Sequence, residues 1–308
     1  MRLDAEALRE RAERASALLS PCVLCPRDCR ALRAEGEVGP CKIGAVARVA
    51  SYGAHFGEEP PLVGTSGSGT IFFSGCNLRC LFCQNHDISR GAVGVPVGAE
   101  GLAAMALDLR SRGCHNLNLV SPTHVMPQIL AGLAEAARQG FDLPVVWNCG
   151  GYEDPAALRL LDGVVDVYMP DFKYGDEAEG RRLSGVPGYP ARARTALLEM
   201  HRQVGDLVLD ERGIAVRGLL VRHLVLPGGR AGSGRVMEFL AERISRDTWV
   251  NVMDQYRPAG GDLASLGLDR RCTAPESAAA AAAARRAGLR RGILPGPEPR
   301  ADRGGGGA

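Results

Sequence analysis

The sequence predicts an α/β fold: a partial (β/α)6 TIM-like barrel with a small cysteine-rich N-terminal module. Three observations predict it. Six apolar, strand-like runs alternate with segments of helical periodicity, polar residues recur where those runs end, and seven of the ten cysteines fall into two groups, one before the first run and one just after it. Strands alternating with helices imply a parallel sheet joined by right-handed crossovers. Six units are fewer than a closed eightfold barrel needs, so the wall is expected to stay open. At 308 residues the chain can bury one large core and carry an appendage.

The elements follow in order. Leu8, Ala12, Ala15 and Leu19 stand near helical spacing and Pro21 ends the run, which assigns residues 1–20 to an N-terminal helix. Residues 21–60 read as the cysteine-rich module and a connecting loop, with a short strand in "ARVASYG". The barrel core is assigned to residues 61–290, with strands at 70–74, 116–120, 143–148, 164–169, 218–225 and 248–253. Between them "AEGLAAMALDLRSRG" and "MPQILAGLAEAARQG" are helical and end in a glycine suited to a C-cap. "DPAALRLL", "GYPARARTALLEMHRQVG" and "GRVMEFLAERIS" supply further helices, and the alanine-rich "ESAAAAAAARRAGLRRGI" a last one. "LPGPEPRADRGGGGA" closes residues 291–308 as a disordered tail.

Composition narrows the class. A net charge of +2 argues against a nucleic-acid binder, which carries a basic excess. No apolar run reaches the length of a membrane span, and the charged N-terminus lacks the apolar centre of a secretion signal. A cytoplasmic protein with neither nucleic-acid nor membrane partners is expected. Clustered cysteines in a reducing compartment read first as metal ligands or redox groups. Cys114, Cys149 and Cys272 are dispersed and read as small buried hydrophobes. Lysine is scarce: Lys42 and Lys173 are the two among 37 Lys and Arg residues, which slightly raises the interest of each.

Cys76, Cys80 and Cys83 follow the first barrel strand at C-x-x-x-C-x-x-C spacing, with Phe82 just before the third. Thiolates suit zinc or iron–sulfur clusters. A structural zinc site wants a fourth nearby ligand, whereas three thiolates at a strand end leave one corner of a cubane cluster open to a small molecule. Other polar residues fall at later strand ends: Ser121 to His124, Asn148, Asp171, Lys173, His223, Asn251 and Gln255. In parallel α/β folds that is where sites form.

On those residues the chain resembles the radical S-adenosylmethionine superfamily. "HFGEEPPLVGTSGSGTIFFSGCNLRCLFCQN", "NLNLVSPTH", "MPDFKYG" and "VNVMDQYRP" extend the likeness, over residues 20 to 290, to the pyruvate formate-lyase-activating-enzyme-like family. The resemblance implies that Cys76, Cys80 and Cys83 hold a [4Fe–4S] cluster whose fourth iron is chelated by S-adenosylmethionine. It implies an oxidoreductase that cleaves this cofactor to a 5′-deoxyadenosyl radical for hydrogen abstraction. The target is a glycine of a glycyl-radical enzyme, a small molecule or another macromolecule, and an electron donor such as a flavodoxin or ferredoxin is a partner. Asp171 and Lys173 keep the D-x-K spelling that helps seat the cofactor; an ordinary ion pair is the bland alternative. Ser121 and Thr123 stand where a contact to the methionyl amino group is expected, in "SPTH" rather than a glycine-rich form. Asn148 replaces an acidic residue, which puts a cation site there in doubt. His223 is expected near the adenosyl part, or as a buried structural histidine. No catalytic acid or base is assigned.

Cys22, Cys25, Cys29 and Cys41 are a second metal site by spacing, for zinc or for a second iron–sulfur cluster. A rival for the whole chain is a zinc- or iron–sulfur-binding regulatory protein without turnover. Cysteine richness supports the rival; the recurrence of polar groups at several strand ends opposes it.

Overall fold

The computed structural model describes residues 3–91 and 93–293. The tail assigned to 291–308 lies outside the described residues from 294 onward. Six parallel strands form the wall in the order β2, β4, β5, β6, β8, β9, where β2 is Ser68–Phe73, β4 Leu117–Val120, β5 Val145–Cys149, β6 Val167–Pro170, β8 Ala215–Leu224 and β9 Trp249–Met253. These are the six runs read from the sequence. Among the described residues β9 forms no ladder with β2, so the barrel is partial.

Three antiparallel pairings were not read from the sequence. β1 (Ala47–His55) runs antiparallel to β2, β3 (Val95–Val97) runs antiparallel to β1, and β7 (Val208–Leu209) runs antiparallel to the start of β8. The expected short strand in "ARVASYG" is therefore nine residues long, and it covers the free edge of β2. An uncovered edge strand would expose a row of unpaired backbone groups.

Alternate residues of each strand face opposite sides. Ile71, Phe73, Leu117 and Leu119 pack against Leu102, Ala106, Ile129 and Leu133 of the helices Ala99–Ser111 and Met126–Arg138. The N-terminal helix, Ala5–Ser16, buries Leu8, Ala12 and Ala15 and packs on Met126–Arg138. Its Asp4 cap accepts from the Ala7 backbone, satisfying a free helix-end donor. Inside the barrel, Leu62 of the short helix Pro60–Val63 joins Val146, Val167, Met169 and Leu220 in a separate apolar floor. The β1–β2 connection, expected as an extended loop, is thus a plug that leaves the other end of the barrel free for polar groups.

Candidate active site at the carboxyl ends of the strands

A cavity of about 260 Å3 opens above that floor. It is lined from Phe72 at the end of β2 round to Met253 at the end of β9, and all three of Cys76, Cys80 and Cys83 face it. The cysteine loop turns sharply: Gly75 and Arg79 have left-handed backbone, φ 80 and φ 56. A Cβ on Gly75 would lie 2.3 Å from the Cys41 carbonyl oxygen, so glycine is needed where the loop passes the N-terminal module. Gly150 has the same use across the cavity, where a Cβ would meet Leu78 Cδ1 at 2.4 Å.

Each sulfur of the loop accepts a hydrogen bond. Leu78 N–H donates to Cys76 Sγ at 3.4 Å, Ser184 Oγ to Cys80 Sγ at 3.0 Å, and Ser89 Oγ to Cys83 Sγ at 3.4 Å. Burial pushes the Cys76 thiol up to about 11 and raises that of Cys80, with Lys173 acting against the rise at Cys80. Phe82 is buried edge-on to Tyr174 and Tyr256, with ring centroids 6.3 and 6.0 Å away, and anchors the loop. Arg27 binds it from outside, with Nε donating to the Asn77 carbonyl and Nη2 to those of Leu78 (3.0 Å) and Ser184 (3.3 Å).

The charged residues of the cavity form one network. Lys173 Nζ meets Asp171 Oδ2 at 2.5 Å, and Arg222 donates from Nε to Asp171 Oδ1 at 2.9 Å and from Nη2 to Asn148 Oδ1 at 2.6 Å. Burial alone would raise the Asp171 pKa; Arg222 and Lys173 overcome it and hold the carboxylate below its ordinary range. Arg222 also faces Glu58 at 3.7 Å and Glu59 at 3.9 Å from the plug. The cation beside Asn148 is thus a guanidinium of this chain. Tyr189 holds the β5 and β6 ends together: its hydroxyl lies 2.9 Å from the Gly150 oxygen and 3.0 Å from that of Asp171, and accepts from Lys173 N–H at 2.8 Å.

The structure brings Ser121, Asn148, Asp171 and Lys173 to the cavity with the three cysteines. Ser121 is there in a left-handed conformation, φ 57, unusual for a non-glycine residue. It does not bring Thr123 or His223. Thr123 is buried and donates to Glu153 Oε1 at 2.5 Å. His223 is fully buried between the Phe172 oxygen (2.7 Å) and Ser233 Oγ (2.8 Å), the structural arrangement weighed as its alternative. Burial lowers its pKa to about 4, so it is neutral. Sequence reading missed Arg222, Ser184, Ser89 and Arg27; an isolated arginine among many, or a serine far from the motif, carries no local signal.

The donor set fits an iron–sulfur cluster better than a lone ion. Three soft thiols of one loop face the cavity, each with a hydrogen-bond donor on its sulfur, and the loop carries no fourth; Cys149, which also lines the cavity, stands apart on β5 and is buried. Among the described residues no three His, Cys, Asp or Glu side chains close on a point that would hold a single metal ion. No helix among them is long and apolar enough to cross a membrane.

Comparison with known proteins agrees with this geometry. The model of the Radical SAM superfamily matches residues 70–211, from β2 to just past β7. Uncharacterized protein MJ0674 of Methanocaldococcus jannaschii is 32% identical over 274 residues, which cover 86% of this chain and 74% of that protein.

Proposed function

We propose that the cavity of this chain, which carries a Radical SAM superfamily domain, is the seat of a radical enzyme acting on a segment of another macromolecule. Cys76, Cys80 and Cys83 would hold a [4Fe–4S] cluster, and Asp171, Lys173 and Arg222 would bind S-adenosylmethionine beside it. When bound and reduced, the cluster supplies an electron that cleaves this cofactor to methionine and a 5′-deoxyadenosyl radical able to abstract hydrogen. The chain's own residues do the rest. Lys173 and Arg222 give the cavity two fixed cations to receive a carboxylate, and Asp171 holds both in place while offering an acceptor to hydroxyls. The apolar walls, Phe72, Leu78 and Phe82, exclude water from the reacting centre.

The observation that carries the reading is the convergence of three hydrogen-bonded thiols of one loop with a partly buried Lys–Asp–Arg network in one cavity. Its volume bears on the target. Small-molecule sites span about 300–1,000 Å3, and this one, at about 260 Å3, lies below that range before any cluster or cofactor is seated. That favours a hydrogen donor presented from outside, and a glycine of a partner protein, as in the activating enzymes the motifs resemble, is the target we propose. Electrons would come from a small flavodoxin or ferredoxin.

The test is anaerobic reconstitution with iron and sulfide, then an assay for 5′-deoxyadenosine with S-adenosylmethionine and dithionite. Cleavage is expected. A cluster that forms without cleavage overturns the enzyme reading in favour of a regulatory iron–sulfur protein. Deuterium passing from a labelled glycine of a partner protein into 5′-deoxyadenosine identifies the target; deuterium arriving only from small molecules overturns the macromolecular one.

A further inference from the structure

We propose that Cys22, Cys25, Cys29 and Cys41 form a second, four-thiolate metal centre that fastens the N-terminal module onto the Cys76–Cys83 loop. The metal site stands independently of the proposed function; its service to a catalytic loop rests on that reading.

The module is an unpromising piece of chain to hold itself together. Between residues 20 and 46 its regular structure is one helical turn, Arg33–Glu35, yet Cys22, Leu24, Cys41 and Ile43 are buried. Small irregular segments of this kind are ordinarily stapled by metal or disulfide. The sulfurs are gathered. Those of Cys29 and Cys41 flank one space, since a Cβ on Gly39 would lie 3.4 Å from the first and 3.5 Å from the second. The backbone sets Cys22 beside Cys29, with Cys22 N–H donating to the Ala31 oxygen at 2.9 Å and Arg30 N–H to the Cys22 oxygen at 3.1 Å. The backbone turns tightly from Cys25 to Cys29: Asp28 and Arg30 have left-handed φ of 44 and 57, and Asp28 N–H donates to the Cys25 oxygen at 3.0 Å.

An independent observation asks for negative charge at this spot. Arg33 is 1% exposed, and its guanidinium reaches the Gly44 oxygen (2.9 and 3.2 Å), the His124 oxygen (2.7 Å) and Cys22 Sγ (3.7 Å). None of these hydrogen-bond partners is a carboxylate. A buried cation needs a counter-charge. Neutral thiols offer none, whereas four thiolates on a divalent ion or an iron–sulfur cluster leave a net negative centre. The four sulfurs do not close on a single point, so the module must either draw in around one ion or be filled by a cluster.

The centre touches the catalytic loop directly. Cys41 O accepts the Cys76 N–H at 3.3 Å, and Arg27, two residues past Cys25, holds the carbonyls of Asn77 and Leu78. Ordering the module therefore orders the backbone that presents Cys76.

Metal and sulfide analysis of the anaerobically purified full chain tests the proposal. After supply of iron, sulfide and zinc and removal of loose metal, the native chain should carry about eight iron, or about four iron with one zinc. The first result makes the second centre a cluster, the second a zinc ion, and either supports it. The variant Cys76→Ser/Cys80→Ser/Cys83→Ser should keep about four iron or one zinc, and further Cys25→Ser and Cys29→Ser substitutions should remove them. A native chain with four iron and no zinc, all lost in the first variant, overturns the second site. If instead Cys25→Ser/Cys29→Ser leaves four iron on the chain and the variant of the other group keeps none, the cluster reading survives and this proposal fails. Slower tryptic cleavage after Arg79 is expected in the metal-loaded than in the metal-stripped Cys76→Ser/Cys80→Ser/Cys83→Ser variant, whose loop holds no cluster of its own; equal rates overturn the fastening role.

Discussion

Three different donors meet the three loop sulfurs, and their differences allow predictions at single residues. Hydrogen bonds to cluster sulfurs help set the reduction potential. Ser184 Oγ is 3.0 Å from Cys80 Sγ and 2.7 Å from the Tyr174 hydroxyl, a short polar chain of buried residues. Ser184→Ala should make the reconstituted cluster harder to reduce without changing its iron content. A redox titration reads this; an unmoved potential would remove Ser184 from the site. Cys80→Ala should lose the cluster, and retention of iron and cleavage activity would contradict its role as a ligand. Asp171→Asn should weaken S-adenosylmethionine binding while the cluster remains. Because breaking a buried ion pair costs about 3–5 kcal/mol, the binding isotherm belongs at a temperature where the variant is shown to be folded. Glu153 offers a pH signature. Burial pushes its carboxyl up to about 8, against about 4.3 for an unfolded glutamate. Between those values the folded chain keeps a proton that the unfolded chain has released, so stability falls as pH rises. Glu153→Gln should flatten that fall in urea melts at two pH values across the window. Parallel losses in both proteins would place its source elsewhere.

Among the elements, legibility followed periodicity. The six wall strands and the helices Ala99–Ser111, Met126–Arg138 and Tyr189–Val204 repeat apolar residues at a regular period, so each could be read alone. The helix Glu177–Ser184 could not. It is eight residues long and rich in charge, and it is started by Asp176, whose side chain accepts from Ala178 N–H. The antiparallel β3 is three residues with a proline, meaningful because β1 lies beside it. Site residues divide the same way. Cys76, Cys80, Cys83, Asp171 and Lys173 sit in short motifs at strand ends. Arg222 is known to matter only once β8 is seen beside β6, where the Asp171 and Arg222 backbones form a bridge. Thr123 sits in the right loop but turns away, because buried Glu153 takes its hydroxyl. Arg27 spans elements that no local pattern links, and its prediction belongs here. Arg27→Ala should speed amide exchange in residues 77–81 several-fold while leaving β4 and β5 protected. Unchanged exchange in that loop would show that Phe82 and its two tyrosines suffice to hold it.

At the scale of the whole molecule, the barrel is built with two unlike ends. Leu62 and its apolar neighbours fill one, and above them lies a polar layer of Glu58, Glu59, Arg222, Asn148 and Asp171 that opens into the cavity. The wall is also unclosed between β2 and β9, where Gln84 Nε2 reaches the Gln255 oxygen at 3.4 Å across the seam. A ligand seated at the open end touches loops from several strands at once, whereas the floor is already fully packed. Loading with cluster and S-adenosylmethionine should therefore act unevenly. At a hundredfold excess over Kd, a ligand that binds only the folded chain adds about 2.7 kcal/mol of stability. The accompanying fall in amide exchange should concentrate at residues 76–85, 121–124, 149–153, 171–175 and 253–257. The strands around Leu62, deepest in the structure, exchange only by global opening and should slow by no more than that added stability. Hydrogen exchange read by mass spectrometry, with and without the cofactor, compares the two ends directly. Protection confined to one strand end, or centred on the floor, would mean that the cofactor does not sit where the three cysteines and the Lys–Asp–Arg network converge.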